Sequence, residues 1–234
     1  MENKWRVPGS LSELVDPKHT ALLIIDVQKD YFEKGGVYDK HGRSFIRGRD
    51  ILGKIRTLAR EARASGVPVF YSIEAHLPGH MSDGPPMTYR LMKAYNTKDP
   101  PESAIEGSWG QEIVDDIKPV EGDIIVKKTR TSAFFGTNLD GLLKMRGIET
   151  ILAAGVVTEG CVYLTAWHAV MLDYMAVVLK DCCDTWTRVY ASTSEAEPET
   201  PEEREAETLR RMQRIMEVVT SDEIIKIWKS ARRV

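Results

Sequence analysis

Ile151–Thr165 reads ILAAGVVTEGCVYLT, and this stretch decides the fold. Ile151 to Ala154 is an unbroken apolar run, as expected of a strand buried on both faces of a parallel sheet. Gly155-Val156-Val157 predicts a turn, Thr158 an N-cap, and Glu159 the acidic first turn of a helix running to Leu172. Cys161 falls near the third helical position. Unpaired backbone N–H groups there create a positive field that favours a thiolate, and the same groups are able to hold an oxyanion.

Working outward, the same alternation recurs. Asn138–Arg146 predicts a helix stopped by Gly147, and Asp123–Lys127 a strand followed by the polar loop Lys128–Ser132. Gln111–Ile117 reads as a short helix. Thr20–Val27 (TALLIIDV) is a second buried strand, and Val67–Ile73 a third that ends at Glu74. Between them lies a Gly-rich charged loop, Lys34–Arg49. A helix follows it, from Asp50 to about Ser65, with Ile51, Leu52, Ile55, Leu58, Ala59 and Ala62 on one face. On the C-terminal side, Met175–Leu179 is a strand, Ala191–Pro201 a polar loop and Glu202–Val219 a charged amphipathic helix. A last helix, capped by Ser221 or Asp222, runs through Lys229. The pattern predicts an α/β fold: a three-layer, Rossmann-like sandwich with an about six-stranded, mostly parallel sheet and helices on both faces. One domain over 1–234 accommodates it, with a polar N-terminal arm at 1–19. The stretch 74–108 has five prolines and no sustained periodicity, which predicts a lid or binding loop.

Bulk properties narrow the function. The 234 residues are 42% hydrophobic and 29% charged, a globular composition. A formal net charge of −3 argues against nucleic acid as a partner. No apolar run reaches membrane-spanning length and the first residues lack an apolar signal core, so a cytoplasmic protein is expected. Three cysteines do not make a disulfide framework.

Ligands of open parallel sheets bind beyond the carboxyl ends of the strands. Asp26, Glu74, Lys128, Cys161 and Asp181 stand there. Among them, Cys161 suits a nucleophile, Asp26 a proton acceptor and donor, and Lys128 a cation that holds the carboxylate and favours thiolate. The residues alone leave alternatives open: Asp26 as a loop cap, Lys128 in solvent, Cys161 as a small core side chain.

Three segments carry a resemblance: ALLIIDVQKDYF at 21–32, KTRTSAFFGTNLDGLLKMRGI at 128–148 and AGVVTEGCVYLTAWHAV at 154–170. Together they resemble the isochorismatase-like cysteine hydrolase superfamily, over about residues 18–185. The wording is closest to the group of N-carbamoylsarcosine amidase, biuret hydrolase and ureidoacrylate amidohydrolase. The resemblance implies a catalytic triad of Asp26, Lys128 and Cys161. It also implies a cis peptide at Val156-Val157, and an oxyanion hole from the N–H groups of Val157 and Cys161. The implied reaction is hydrolysis of a small carbamoyl or ureido amide through a thioester, in a homodimer or homotetramer. Glu159-Gly160 and Trp167-His168 depart from the family's commoner wording, Asp or Asn with a small apolar residue and Arg-Asp respectively.

Glu74-Ala75-His76 and His80 bear on cofactors. Related nicotinamidases carry Asp-x-His and a further His that bind a divalent metal. Here Glu74 stands in place of that Asp, as in carbamoyl-amide hydrolases that work without one, so no cofactor is expected. Zinc held by Glu74, His76 and His80 in a nicotinamidase-like enzyme is the alternative. An isochorismatase cleaving a vinyl ether and a silent metabolite-binding relative are further alternatives. Gln28, Phe32, Glu74, His76, Trp109 and Phe134 are expected to touch substrate, with Tyr31 and Phe135 near them. Ser132 is either structural or a substrate contact, and Arg188 is a candidate for an anionic substrate group. Cys182 and Cys183 read as packed thiols, and Glu195–Arg214 as a solvated helix face.

Overall fold

A computed structural model describes residues 7–187 and 200–232. Its six strands are β1 Thr20–Ile25, β2 Val69–Glu74, β3 Ile124–Lys128, β4 Thr150–Val156, β5 Met175–Asp184 and β6 Glu217–Val219. All pair in parallel, in the order β3-β2-β1-β4-β5-β6. The described helices are α1 Leu11–Leu14, α2 Lys29–Phe32, α3 Val37–Lys40, α4 Asp50–Ala64 and α5 Pro85–Tyr95. After them come α6 Leu139–Lys144, α7 Tyr163–Met171, α8 Pro201–Met212 and α9 Ser221–Ala231. No described helix is long and apolar enough to cross a membrane.

The period-two alternation of each strand divides the core in two. Leu22 and Ile24 of β1 face one way, with α4 and α9; Ala21, Leu23 and Ile25 face the other, with α6 and α7. This explains why the central strands read as continuous apolar runs. Trp228 of α9 is fully buried and donates its indole N–H to Val15 O at 2.9 Å. Val15 follows the short helix α1, so part of the expected polar arm lies in the core.

Chain order reverses between β1 and β4, which opens a crevice at their carboxyl ends. The two strands approach closely there, and Gly155 makes this possible. It pairs with Ile25 at a φ of 118°, and a Cβ on it would lie 2.1 Å from Ile25 O. Gly155→Ala is expected to destabilise the protein by about 3 to 5 kcal/mol, combining backbone strain with overpacking. Urea unfolding of the purified variant measures it.

Several boundaries differ from expectation. Residues 74–108 are not featureless: they contain α5 and a 3₁₀ turn at Pro78–His80. Pro85 and Pro86 sit at the start of α5, where a missing N–H costs nothing, so the prolines begin a helix instead of marking a loop. The loop 34–49 contains α3, and the expected helix 111–117 resolves into two 3₁₀ turns, Trp109–Gln111 and Asp115–Ile117. The helix expected over 202–219 ends at Met212, because Val218 and Val219 pair with Val178 and Leu179 as β6. Strand β5 runs five residues past the expected Leu179. That puts Asp181 inside the strand, bonded to Ser221 and Lys54 and away from the strand ends.

Candidate active site

Asp26 directly follows β1 with a φ of 55°, unusual for a side-chain-bearing residue. Its N–H donates to Ser72 O of β2 at 2.9 Å, which holds the bend. Glu74 and Lys128 are register partners at the ends of β2 and β3, so their side chains share one face. Beyond β4 the Val156–Val157 peptide is cis. The first turn of the next helix, Thr158–Val162, is π-helical; Val162 N–H reaches Val157 O at 3.2 Å. Thr158 is therefore not the expected N-cap. Its hydroxyl donates instead to Glu205 Oε1 at 2.7 Å.

The four side chains converge. Lys128 Nζ lies 2.8 Å from Asp26 Oδ2, 3.4 Å from Cys161 Sγ and 3.4 Å from Glu74 Oε1. It also donates to Arg130 O at 3.1 Å. One oxygen of Asp26, one of Glu74 and the Cys161 sulfur all lie within 4.8 Å of one another. Glu74 further accepts a hydrogen bond from Tyr31 Oη. The contact from Lys128 to Asp26 is an ion pair bent away from hydrogen-bond alignment. Among the described residues, neither Asp26 oxygen receives a well-directed hydrogen bond. A cavity of about 140 Å³ opens over this cluster. Asp26, Glu74, Val156, Val157, Gly160 and Cys161 form its inner part, and Arg43, Arg90, Leu91, Tyr95, Ser103 and Trp186 its half-buried outer part.

Burial governs the protonation states. It pushes Asp26 up to about 7, against the pull of the Lys128 ammonium. Burial also pushes the Cys161 thiol well above its usual range; Lys128 draws it down, while Asp26 and Glu74 drive it up. This corrects the expectation of a thiolate: two carboxylates and lost hydration outweigh one ammonium and a helix start. Burial draws the Lys128 ammonium down, but Asp26, Cys161 and Glu74 raise it above the usual lysine range and keep it protonated. Glu74 resists burial because Lys128, His76 and Tyr31 hold its carboxyl well below the usual range. The site thus carries a neutral thiol, a fixed ammonium, a fixed carboxylate and one carboxyl poised near neutrality.

Several expected substrate contacts lie elsewhere. Gln28 is fully buried, and its amide brackets the chain by donating to Glu74 O and Gln111 O and accepting from Glu74 N–H. Phe32 packs on Phe45 at 4.6 Å between ring centroids. Trp109 is half exposed beside Lys29. Phe134 is buried in the core layer of α6 and α7, stacked on Tyr174. Ser132 bonds His168 and Phe134 N–H, a structural arrangement. None of these five lines the cavity. Arg188 lies outside the described residues. Cys182 and Cys183 are fully buried free thiols. Arg43, Tyr95 and Trp186 went unrecognised because they come from separate loops with no shared spacing. Arg43 lies 4.0 Å over the Tyr95 ring and 5.3 Å over the Trp186 ring.

The alternative metal set does not fit. His76 Nδ1 lies 2.7 Å from Asp83 Oδ1 and its Nε2 3.7 Å from Glu74 Oε2. His80 Nδ1 lies 2.9 Å from Asp83 Oδ2 and its Nε2 3.1 Å from Pro100 O. Both His80 nitrogens and His76 Nδ1 face oxygens at hydrogen-bond distance, which occupies both nitrogens of His80 and one of His76. Both histidines have raised pKa values, His76 against the effect of its burial and through Glu74 and Asp83, His80 chiefly through Asp83. Glu74, His76 and His80 do not converge, and His76 faces a separate small cavity with His80 and Asp83. Among the described residues, the ligand-type atoms that do converge, on Asp26, Glu74 and Cys161, already surround an ammonium.

Comparison with known proteins agrees with this architecture. The sequence profile of the Isochorismatase domain matches residues 20–223. A ureidoacrylate amidohydrolase RutB from Caulobacter vibrioides is 34% identical over 174 residues, covering 71% of this chain and 77% of that relative. The RutB of Rhizobium rhizogenes is 34% identical over 172 residues, 70% of each protein. A cysteine hydrolase from Pseudomonas syringae pv. phaseolicola shares the fold, with a TM-score of 0.80 over 93% of this chain and 96% of that one, at 24% identity. N-carbamoylsarcosine amidase from Thermoplasma acidophilum superposes with a TM-score of 0.64 over 87% of this chain and 97% of that one, at 25% identity. The chain belongs to the isochorismatase family and is an enzyme of the hydrolase class, like its amidohydrolase relatives.

Proposed function

We propose that this enzyme hydrolyses the C–N bond of a small carbamoyl or ureido amide through a Cys161 thioester, without a metal cofactor. One observation carries the reading: a buried thiol 3.4 Å from an ammonium that is itself 2.8 Å from a carboxyl poised near neutrality, under a cavity of small-metabolite size. The substrate class rests on the ureidoacrylate and N-carbamoylsarcosine relatives.

Asp26 takes the proton from Cys161 as the sulfur attacks the carbonyl carbon. The N–H groups of Val157 and Cys161 receive the oxyanion. The C–N bond breaks as Asp26 returns that proton to the departing nitrogen, and ammonia or an amine leaves. Asp26 then takes a proton from water attacking the thioester, and the sulfur leaves as the thiol with that proton. Lys128 remains an ammonium throughout and keeps Asp26 low enough to act as a base. Glu74 is placed to accept from a substrate N–H. Vinyl-ether cleavage needs protonation and no nucleophilic sulfur, so the buried thiol beside a base favours the amide. A silent binder has no use for the whole cluster.

The base must be ionised before the thiol can react. With Asp26 at about 7, kcat/KM is expected to fall about tenfold per pH unit below pH 7 and to level off above it. A pH–rate profile over pH 5 to 9 measures this. The test of the reading is an ammonia-release screen over biuret, carbamoylated amino acids, ureidoacrylate, nicotinamide and simple amides. Turnover of a carbamoyl compound that chelator leaves unchanged supports it; activity on nicotinamide alone, lost on chelation, overturns it. A homodimer or homotetramer would bury the apolar groove lined by Phe135, Leu164, Trp167 and Met171, and light scattering of the purified protein tests it.

A further inference from the structure

The turn that carries Cys161 is held from behind by two consecutive residues of α8. Glu205, a buried carboxylate, accepts from Thr158 Oγ1 at 2.7 Å and from Arg47 Nη2 at 2.6 Å. Arg204 donates Nε to Glu159 Oε1 at 3.0 Å and Nη2 to Trp186 O at 2.8 Å. Glu159 also accepts from Thr185 Oγ1. Thr158 and Glu159 open the π-helical turn, while Glu159 and Trp186 belong to the cavity wall. Neither Arg204 nor Glu205 lines the cavity itself.

A π-helical turn holds one residue more than an α-helical one and is rarely stable alone. Relaxing it to α geometry shifts the register by one residue, which rotates Cys161 by about 100° about the helix axis. That rotation would carry Sγ away from Lys128 and Asp26. Two of the five residues of the turn are tied to α8 by charge-assisted bonds in a half-buried to fully buried setting, where such bonds are short and directional. We infer that Arg204 and Glu205 are positioning residues that fix the nucleophile turn, and with it the approach of the thiol to its base, from a helix outside the active site. The inference rests on the amidohydrolase reading above.

The test uses Arg204→Ala, Glu205→Gln and Thr158→Val in the full-length protein. Each is expected to lower kcat about 10- to 100-fold, the scale of a misplacement of about 1 Å, with KM moving less than about threefold. Alkylation of Cys161 by iodoacetamide, read by peptide mass spectrometry, is expected to slow at an unchanged melting temperature. Arg204→Lys, which keeps the charge on Glu159, is expected to recover part of kcat. Folded variants in which kcat falls less than about threefold, or in which only KM changes, overturn the inference. If Arg204→Ala does not fold, Thr158→Val, which removes one hydroxyl at constant volume, supports or overturns the inference by the same criteria. The Cys161→Ala protein separates the hypotheses. If it is inactive while the positioning variants are unaffected, only the inference fails; if it is active, the amidohydrolase reading fails.

Discussion

Cys161→Ala is expected to lower turnover by about 10⁴-fold or more and to leave the protein folded. The loss is large because no described side chain beside Asp26 offers a second nucleophile: Lys128 is held protonated, and Glu74 is bonded to Lys128 and Tyr31. The fold survives because the resting thiol is neutral, so its removal leaves no buried charge unpaired. Cys161→Ser should be nearly as inactive. A hydroxyl is harder to ionise than a thiol, and one carboxyl near pH 7 is a weak base for it. Steady-state ammonia release with a thermal melt checks both variants. An alanine variant with most of its activity would remove the thioester from the mechanism.

Lys128→Met is expected to lower kcat by about 10³-fold and stability by about 3 to 5 kcal/mol, because it removes one partner of a buried charge cluster. Lys128 is fully buried and is the ammonium between Asp26 and Glu74. Without it, Glu74 keeps a carboxylate in a desolvated site with Tyr31, His76 and the Cys161 thiol as partners. Asp26 loses the main group that opposes its burial, so its pKa rises further above the ordinary carboxylate range. More of it is then protonated at neutral pH, and the acid limb of the pH–rate profile shifts to higher pH. Simple unfolding does not produce that shift. Urea titration measures the stability change and the pH profile of residual activity measures the shift.

Much of this was legible in the residues because it follows from local physics. A strand covered on both faces must be apolar throughout, so TALLIIDV and ILAAG announce a parallel sheet. The carboxyl ends of such strands are where chemistry collects, which singles out Asp26, Glu74, Lys128 and Cys161, and wrongly Asp181, because β5 continues past it to Asp184. The aromatic and amide side chains were misplaced for an equally physical reason. Gln28, Phe32 and Phe134 stand in sequence next to the segments that carry Asp26 and Lys128, but side-chain direction depends on the turn each segment makes. Gln28 turns inward to satisfy backbone groups of Glu74 and Gln111, and Phe134 stacks on Tyr174 in the layer of α6 and α7. Spacing leaves zinc at Glu74, His76 and His80 open as an alternative because it does not reveal Asp83, which lies between the two histidines.

The alternation of strands and helices, the buried sheet and four of the five ionisable side chains expected at its edge are written in the residues, because each depends on neighbours a few residues away; Asp181, the fifth, lies within β5. Only the tertiary structure decided their protonation. The neutral thiol, the Asp26 carboxyl near 7 and the lasting Lys128 ammonium arise from β1, β2, β3 and the turn after β4 meeting in a buried site. Desolvation and Coulomb forces depend on distance in space, and separation along the chain does not record it.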